Sequence, residues 1–237
     1  MAIEHPTTAS ETQFIHGGKS VGGYLARPTD LSSAPAILLI HEWWGLNDHI
    51  KDIANRYARA GFITAAVDLY HGTTTKDSQE AARLMSSLPP ERALDDLSTA
   101  VNFLRDQQQG KAGVGVTGFC MGGVYTLLTA CTNQVDAAVA FYGIPDDLSV
   151  IKNLSCPLLF IGGEKDQWIT VEKMKRLEAE LNQRGKEAEV RIYQGADHAF
   201  FNDTRPEVYS PQDAADAWQR AVEFFSRHLQ KGQIATA

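Results

Sequence analysis

The 237 residues, 43% hydrophobic and 22% charged, suffice for a sizeable buried core and exclude a disordered or fibrous chain. Twenty-two basic residues face 29 acidic ones, for a formal net charge of −7. No dense Lys/Arg run occurs, so no nucleic-acid partner is expected. The first ten residues, MAIEHPTTAS, lack a basic region followed by an apolar run, and no apolar stretch approaches the ~18 residues of a membrane span. Neither a secretory leader nor a membrane association is expected, and a cytoplasmic location is the default. Cys120, Cys131 and Cys156 are odd in number and not closely paired, which argues against a disulfide framework.

Taken in chain order, the first 35 residues alternate weakly around Gly17-Gly18 and read as an antiparallel hairpin at a sheet edge. AILLIHE (36–42) is an aliphatic strand. Residues 49–60 place Ile50, Ile53, Ala54, Tyr57 and Ala58 on one helical face. FITAAVDLY (62–70) is the next strand, and residues 76–87 and 91–108 are helices parted by Pro89 and Pro90. VGVTGF (114–119) enters a turn from which MGGVYTLLTA (121–130) departs as a helix. VDAAVAFYG (135–143) and CPLLFIGG (156–163) are strands, 170–184 a charged amphipathic helix, and AEVRIYQG (188–195) the last strand. Residues 212–230 form a helix with Ala214, Ala215, Trp218, Ala221, Val222, Phe225 and His228 near one side, and the last seven residues read as frayed. Near-continuous apolar strands alternating with helices describe a mainly parallel, doubly wound sheet covered on both faces. The chain is expected to be one α/β domain, its core spanning about 10–230. Residues 68–90 are the one stretch suited to a small cover over a site.

The strand-turn-helix passage at Gly118-Phe119-Cys120-Met121-Gly122 has the G-x-C-x-G spacing of a nucleophile elbow. Small neighbours relieve the crowding of a strained turn, and the helix N-terminus beneath Cys120 favours a thiolate and an oxyanion. The Met121 N–H is one candidate oxyanion donor. A buried structural cysteine is the bland alternative, and it is the reading for Cys131 and Cys156. No G-x-G-x-x-G or phosphate-loop pattern occurs.

A thiol nucleophile needs an imidazole, and the imidazole an orienting carboxylate, in the chain order nucleophile, acid, histidine. After Cys120 come His198, in a loop following a strand, and His228, near the end of a helix where it complements the dipole. His198 is the candidate base. Asp166 is favoured as the acid over Glu164; Asp197 adjoins His198 and Asp146 and Asp147 come one strand too early. HEWWG (41–45) sets Glu42 at the end of a buried strand, where a charge needs a partner. The Trp43 N–H is a second candidate oxyanion donor, and Trp43 and Trp44 could form an apolar wall or pack on a helix. His41 precedes the cysteine within its strand and is a poor candidate base. There is no H-x-x-x-H pair or cysteine cluster, so no metal is expected.

HEWWG, VDLY, GFCMGG, FYG, GGEKD and DHAFFN together resemble the dienelactone hydrolase family of α/β-hydrolases over residues 10–230. The resemblance implies a catalytic triad of Cys120, Asp166 and His198, with Glu42 interacting with the cysteine and oxyanion amides on Trp43 and Met121. It implies Tyr70 and Tyr142 as pocket residues. It further implies an ester or lactone substrate and an acyl-enzyme; no cofactor is expected, and a monomer or small homo-oligomer is the expected assembly. A family arginine for the substrate carboxylate falls on Asn202 here; Arg205 lies three residues further on, and Arg83 follows VDLY. For both arginines a solvated charge is an equal reading.

Overall fold

The computed structural model describes residues 4–31, 33–108, 112–132 and 134–230. The chain begins with β1 (Thr7–His16) and β2 (Lys19–Pro28), then β3 (Ala36–Ile40), α1 (Asp48–Arg59) and β4 (Ile63–Val67). Helices α2 (Ser78–Ser86) and α3 (Pro90–Gln108) lead to β5 (Val114–Phe119) and α4 (Met121–Ala130). Next come β6 (Ala137–Phe141), a 3-10 helix (Leu148–Asn153), β7 (Leu158–Gly163), α5 (Val171–Gln183), β8 (Ala188–Tyr193) and α6 (Pro211–Leu229).

The eight strands form one sheet in the order β1-β2-β4-β3-β5-β6-β7-β8. The β1-β2 hairpin turns through Gly17 and Gly18, both at positive φ, and joins β4 antiparallel; β4, β3, β5, β6, β7 and β8 are mutually parallel. The strand period of two deals side chains to two separate cores. Leu38, Ile40, Val116, Ala138 and Phe160 pack under α3, α4 and α5. Ile37, Leu39, Val139, Phe141 and Ile161 pack under α1 and α6. At Gly115 a Cβ would come within 2.6 Å of the Phe225 ring, so the missing side chain is the space into which α6 lowers its phenylalanine.

The expected α1 face is wholly buried. On α6 the register differs: Ala217 and Leu229 are buried and Ala215 is exposed. Beyond β4 the Asp68 N–H still reaches the Gly22 carbonyl of β2 at 3.0 Å, and the residues after it bond elsewhere. The Leu69 N–H donates to His41 Nε2 at 3.1 Å and the Tyr70 N–H to the Asp68 carboxylate at 3.0 Å. The 3-10 helix was not expected; Asp147 caps it, accepting from the Ser149 N–H at 2.8 Å. Residues 231–237, expected to fray, lie outside the described residues. No described helix is long and apolar enough to cross a membrane.

Candidate active site

Parallel strands bring their carboxyl ends to one edge of the sheet, and the candidate residues sit just beyond them. Glu42 follows β3, Cys120 follows β5, Tyr142 follows β6, Asp166 follows β7 and His198 follows β8. Register makes this possible: Ile40 lies opposite Gly118, and Phe119 opposite Phe141.

Cys120 occupies the turn between β5 and α4 with φ 57 and ψ −116, a conformation a non-glycine residue holds only when its surroundings force it. The glycines supply that force. A Cβ on Gly122 would stand 2.4 Å from the Ile40 carbonyl oxygen, and one on Gly143 2.2 Å from that of Cys120. The Gly123 N–H bonds the Cys120 carbonyl at 2.9 Å, closing the first turn of α4. Tyr142 (φ 37) and Ala199 (φ 62) are strained as well, so three of the four non-glycine residues at positive φ among the described residues are in or beside this site.

His198 Nδ1 donates to Asp166 Oδ2 at 2.6 Å, and Asp166 Oδ1 accepts the N–H groups of Trp168 and Ile169, each at 2.8 Å. The carboxylate is therefore fixed on both oxygens. Burial opposes its charge, yet His198 and the two amides outweigh burial and hold the Asp166 pKa below its usual value. Burial likewise opposes an imidazolium, but the Asp166 carboxylate and the Cys120 sulfur raise His198 to about 10. With Nδ1 engaged, Nε2 is the nitrogen left for the thiol. Burial pushes the Cys131 thiol up to about 11 and the Cys156 thiol up to about 12, which suits packing and not chemistry.

A cavity of about 460 Å³ opens over Cys120. Trp43, Trp44, Met121, Tyr142, His198 and Arg205 all line it. Other expected residues are elsewhere. Tyr70 lies behind the wall, its hydroxyl donating to Met121 Sδ at 3.3 Å. Arg83 is not a pocket residue: it is exposed on α2 and bonded to Glu80 of the same helix at 2.6 Å and 2.7 Å, since the i, i+3 spacing gives it a nearer partner than any ligand. Asn202 is buried beneath the pocket, donating from Nδ2 to Glu42 Oε2 at 2.8 Å. Arg205 reaches the cavity edge over the Trp44 ring, with Nε bonded to Glu207 at 2.8 Å.

Among the weaker candidates, His41 is fully buried between the Glu42 carbonyl and the Leu69 amide, and burial lowers its pKa. Glu164 accepts from the Gly195 N–H, and His228 packs at a tilt against Phe224 of α6. Sequence reasoning passed over Trp168, which is 64% exposed and stands edge-on to His198 with ring centres 4.9 Å apart. A tryptophan two residues after the candidate acid, in a polar loop, was the available signal. Met85 and Ser78 of α2 also line the cavity, so the 68–90 stretch does contribute a wall. Among the described residues no group of His, Cys, Asp and Glu is arranged to hold a metal.

An eight-stranded sheet of this order, with a strained strand-to-helix turn at its carboxyl edge, defines an α/β-hydrolase. The model of the dienelactone hydrolase family matches residues 21–229, and the chain belongs to that family and is an ester hydrolase. The protein usf of Aquifex pyrophilus is 35% identical over 227 residues, covering 92% of this chain and 97% of the relative. A Bradyrhizobium protein named as a probable 2-oxo-3-(5-oxofuran-2-ylidene)propanoate lactonase is 31% identical, over 90% of this chain and 91% of its own. A Klebsiella pneumoniae structure solved as a candidate dienelactone hydrolase superposes with a TM-score of 0.87 at 29% identity, covering 94% of this chain and all of that one.

Proposed function

We propose that the protein hydrolyses small lactones or esters through Cys120 as nucleophile, with His198 as base and acid and Asp166 as orienting carboxylate. The observation that carries this reading is the pairing of a strained Cys120 with a histidine whose far nitrogen is locked on Asp166. The Cys120 sulfur attacks the carbonyl carbon, and the carbonyl electrons move onto oxygen. The Trp43 and Met121 N–H groups receive that oxyanion. It collapses with cleavage of the bond to the leaving oxygen, which takes the proton from His198 Nε2. Water then attacks the thioester, giving its proton to His198, and the second collapse releases the acid and restores the thiolate. Losing one oxyanion donor costs about 3–4 kcal/mol in comparable sites.

The cavity wall argues for the substrate. Trp43, Trp44, Met85, Met121, Val124 and Ile169 are apolar, so the acyl body is small and apolar or planar. Arg205 is the cationic group at the edge, suited to a carboxylate on the substrate. An activated leaving group such as an enolate fits a thiol nucleophile better than an amide does, and general carboxylesterase or thioesterase action is the second reading. The test is a panel of enol lactones, aryl esters, thioesters and short peptides. Enol lactones are expected to turn over fastest and Cys120→Ala to lose about 10³-fold or more in kcat. Turnover of peptides alone, or full activity in Cys120→Ala, would overturn the reading.

A further inference from the structure

Four large hydrophobic side chains among the described residues stand open to water: Ile15, Leu31, Met85 and Trp168. Two of them, Met85 and Trp168, line the cavity over Cys120, so the apolar surface left wet is gathered at the mouth of the site. Trp168 is the most exposed of the four and packs into neither core. It is nevertheless held in place. Its N–H donates to Asp166 Oδ1 at 2.8 Å, and its carbonyl accepts from Lys173 Nζ at 2.9 Å. Both anchors belong to the backbone, so Asp166 is served by an amide at this position whatever the side chain. The indole itself is left facing the cavity. Two aromatic rings border the His198 imidazole: fully buried Tyr142, with ring centres 5.0 Å apart, and exposed Trp168, with ring centres 4.9 Å apart. The approach to the imidazole from solvent therefore runs past Trp168.

We infer that Trp168 determines specificity on the leaving side of the substrate, by taking a planar aryl or enol leaving group against its indole. The inference rests on Cys120 as nucleophile and His198 as the acid that protonates the leaving oxygen. In the tetrahedral intermediate the carbonyl oxygen faces the Trp43 and Met121 amides, and the leaving oxygen faces His198 Nε2, from which it takes its proton as the carbon–oxygen bond breaks. Whatever is attached to that oxygen must pass beside the imidazole. Tyr142 closes the buried flank, and the way out runs over Trp168. The acyl portion has the other walls, among them Trp43, Met121 and Val124. A flat unsaturated group on the leaving side covers indole surface that water now wets and adds the ring contact that aromatic pairs favour. A small saturated alkoxide has no face to present and gains little. An ester's leaving group departs before water attacks the thioester, so the contact acts on acylation and not on deacylation. In an enol lactone the enol half takes the same place but stays tethered to the acyl group.

Two esters of one short-chain acid test this, a para-nitrophenyl ester and a trifluoroethyl ester. They give the same acyl-enzyme and differ only in the leaving group. Each variant's kcat/KM is divided by that of wild type on the same ester, so the intrinsic reactivity of the ester cancels. Trp168→Ala is expected to lower this ratio about tenfold for the aryl ester and less than threefold for the trifluoroethyl ester, and Trp168→Phe to restore most of the aryl loss. The deacylation rate constant, read from the steady phase after a burst of nitrophenolate, should stay within twofold of wild type. Equal losses on the two esters would overturn the inference, because a displaced His198 slows every substrate alike. An aryl ratio within twofold of wild type in Trp168→Ala would overturn it as well. Failure of the underlying reading shows elsewhere, in wild type: no acyl mass on Cys120 after acid quenching of the para-nitrophenyl ester reaction would remove the nucleophile assignment, and the inference with it.

Discussion

His198 is where the physics of the site is most exposed to measurement. Its pKa is raised in the folded protein to about 10, against an unfolded value of about 6.5. A raised pKa contributes stability that is complete below the unfolded value and lost as pH climbs through the folded one. Asp166 is the mirror case: its lowered pKa contributes above its unfolded value and is lost in acid. The pair therefore stabilises the fold between about pH 4 and pH 10. Replacing His198 by Gln should lower the thermal midpoint at pH 7, and the gap to wild type should close above pH 10. A gap of constant size from pH 7 to pH 11 would contradict the ion pair. That Cys120, Asp166 and His198 meet at the carboxyl edge was legible in the sequence, because element order constrains which residues reach it. The contact that Asn202 makes was not legible. Its bond to Glu42 spans 160 positions in the chain, and spacing carries no trace of such a contact.

Among the elements, the β5–α4 junction has the least room to change. A Cβ on Gly122 would meet the backbone oxygens of Ile40 at 2.4 Å and His41 at 2.7 Å, so relief requires moving β3 and not a side chain. Gly122→Ala is expected to destabilise by about 1–3 kcal/mol in urea melts. It should cost more activity than stability, because the strand that moves carries Glu42 and the Trp43 amide. Equal, small losses in both would show that the turn absorbs the methyl group. Element types were readable from period and length: each buried strand is a short apolar run, and the helices are amphipathic apart from α4, which is buried on nearly all sides. Ends were less so. β4 stops at Val67 because, one residue on, His41 and Asp68 take the amides of Leu69 and Tyr70, and the Asp147-capped 3-10 helix rests on a local cap and not on any repeat.

Across the whole molecule, the sheet separates two cores that share only backbone, and α6 closes one of them from the far end of the chain. Phe225 is fully buried, fills the gap above Gly115 and meets Tyr57 and Phe62 edge-on. Phe225→Ala should cost about 3–5 kcal/mol by urea denaturation. The void lies away from the active-site edge, so surviving folded enzyme should keep its kcat; a parallel fall in kcat would mean that the two cores are coupled. The layered architecture followed from the sequence, since both-face burial of β3, β5, β6 and β7 demands helices on each side. The α6 register did not. Ala215 and Ala217 are the same residue type, and only tertiary packing decides that Ala217 is the one inside.

Trp168 gives the enzyme an optical output. Its indole is solvated on one side and touches His198 edge-on with the other. An imidazolium quenches a neighbouring indole more strongly than a neutral imidazole does, so the emission of Trp168 should brighten as pH rises through the His198 transition near 10. Three other tryptophans share the chain, and the difference between wild type and Trp168→Phe isolates the one that matters. With Cys120 as the proposed nucleophile, the same signal should respond when an acyl group caps it and the imidazole gives up its proton. Acylation and deacylation would then be visible in real time with any unlabelled ester, including ones whose products have no colour.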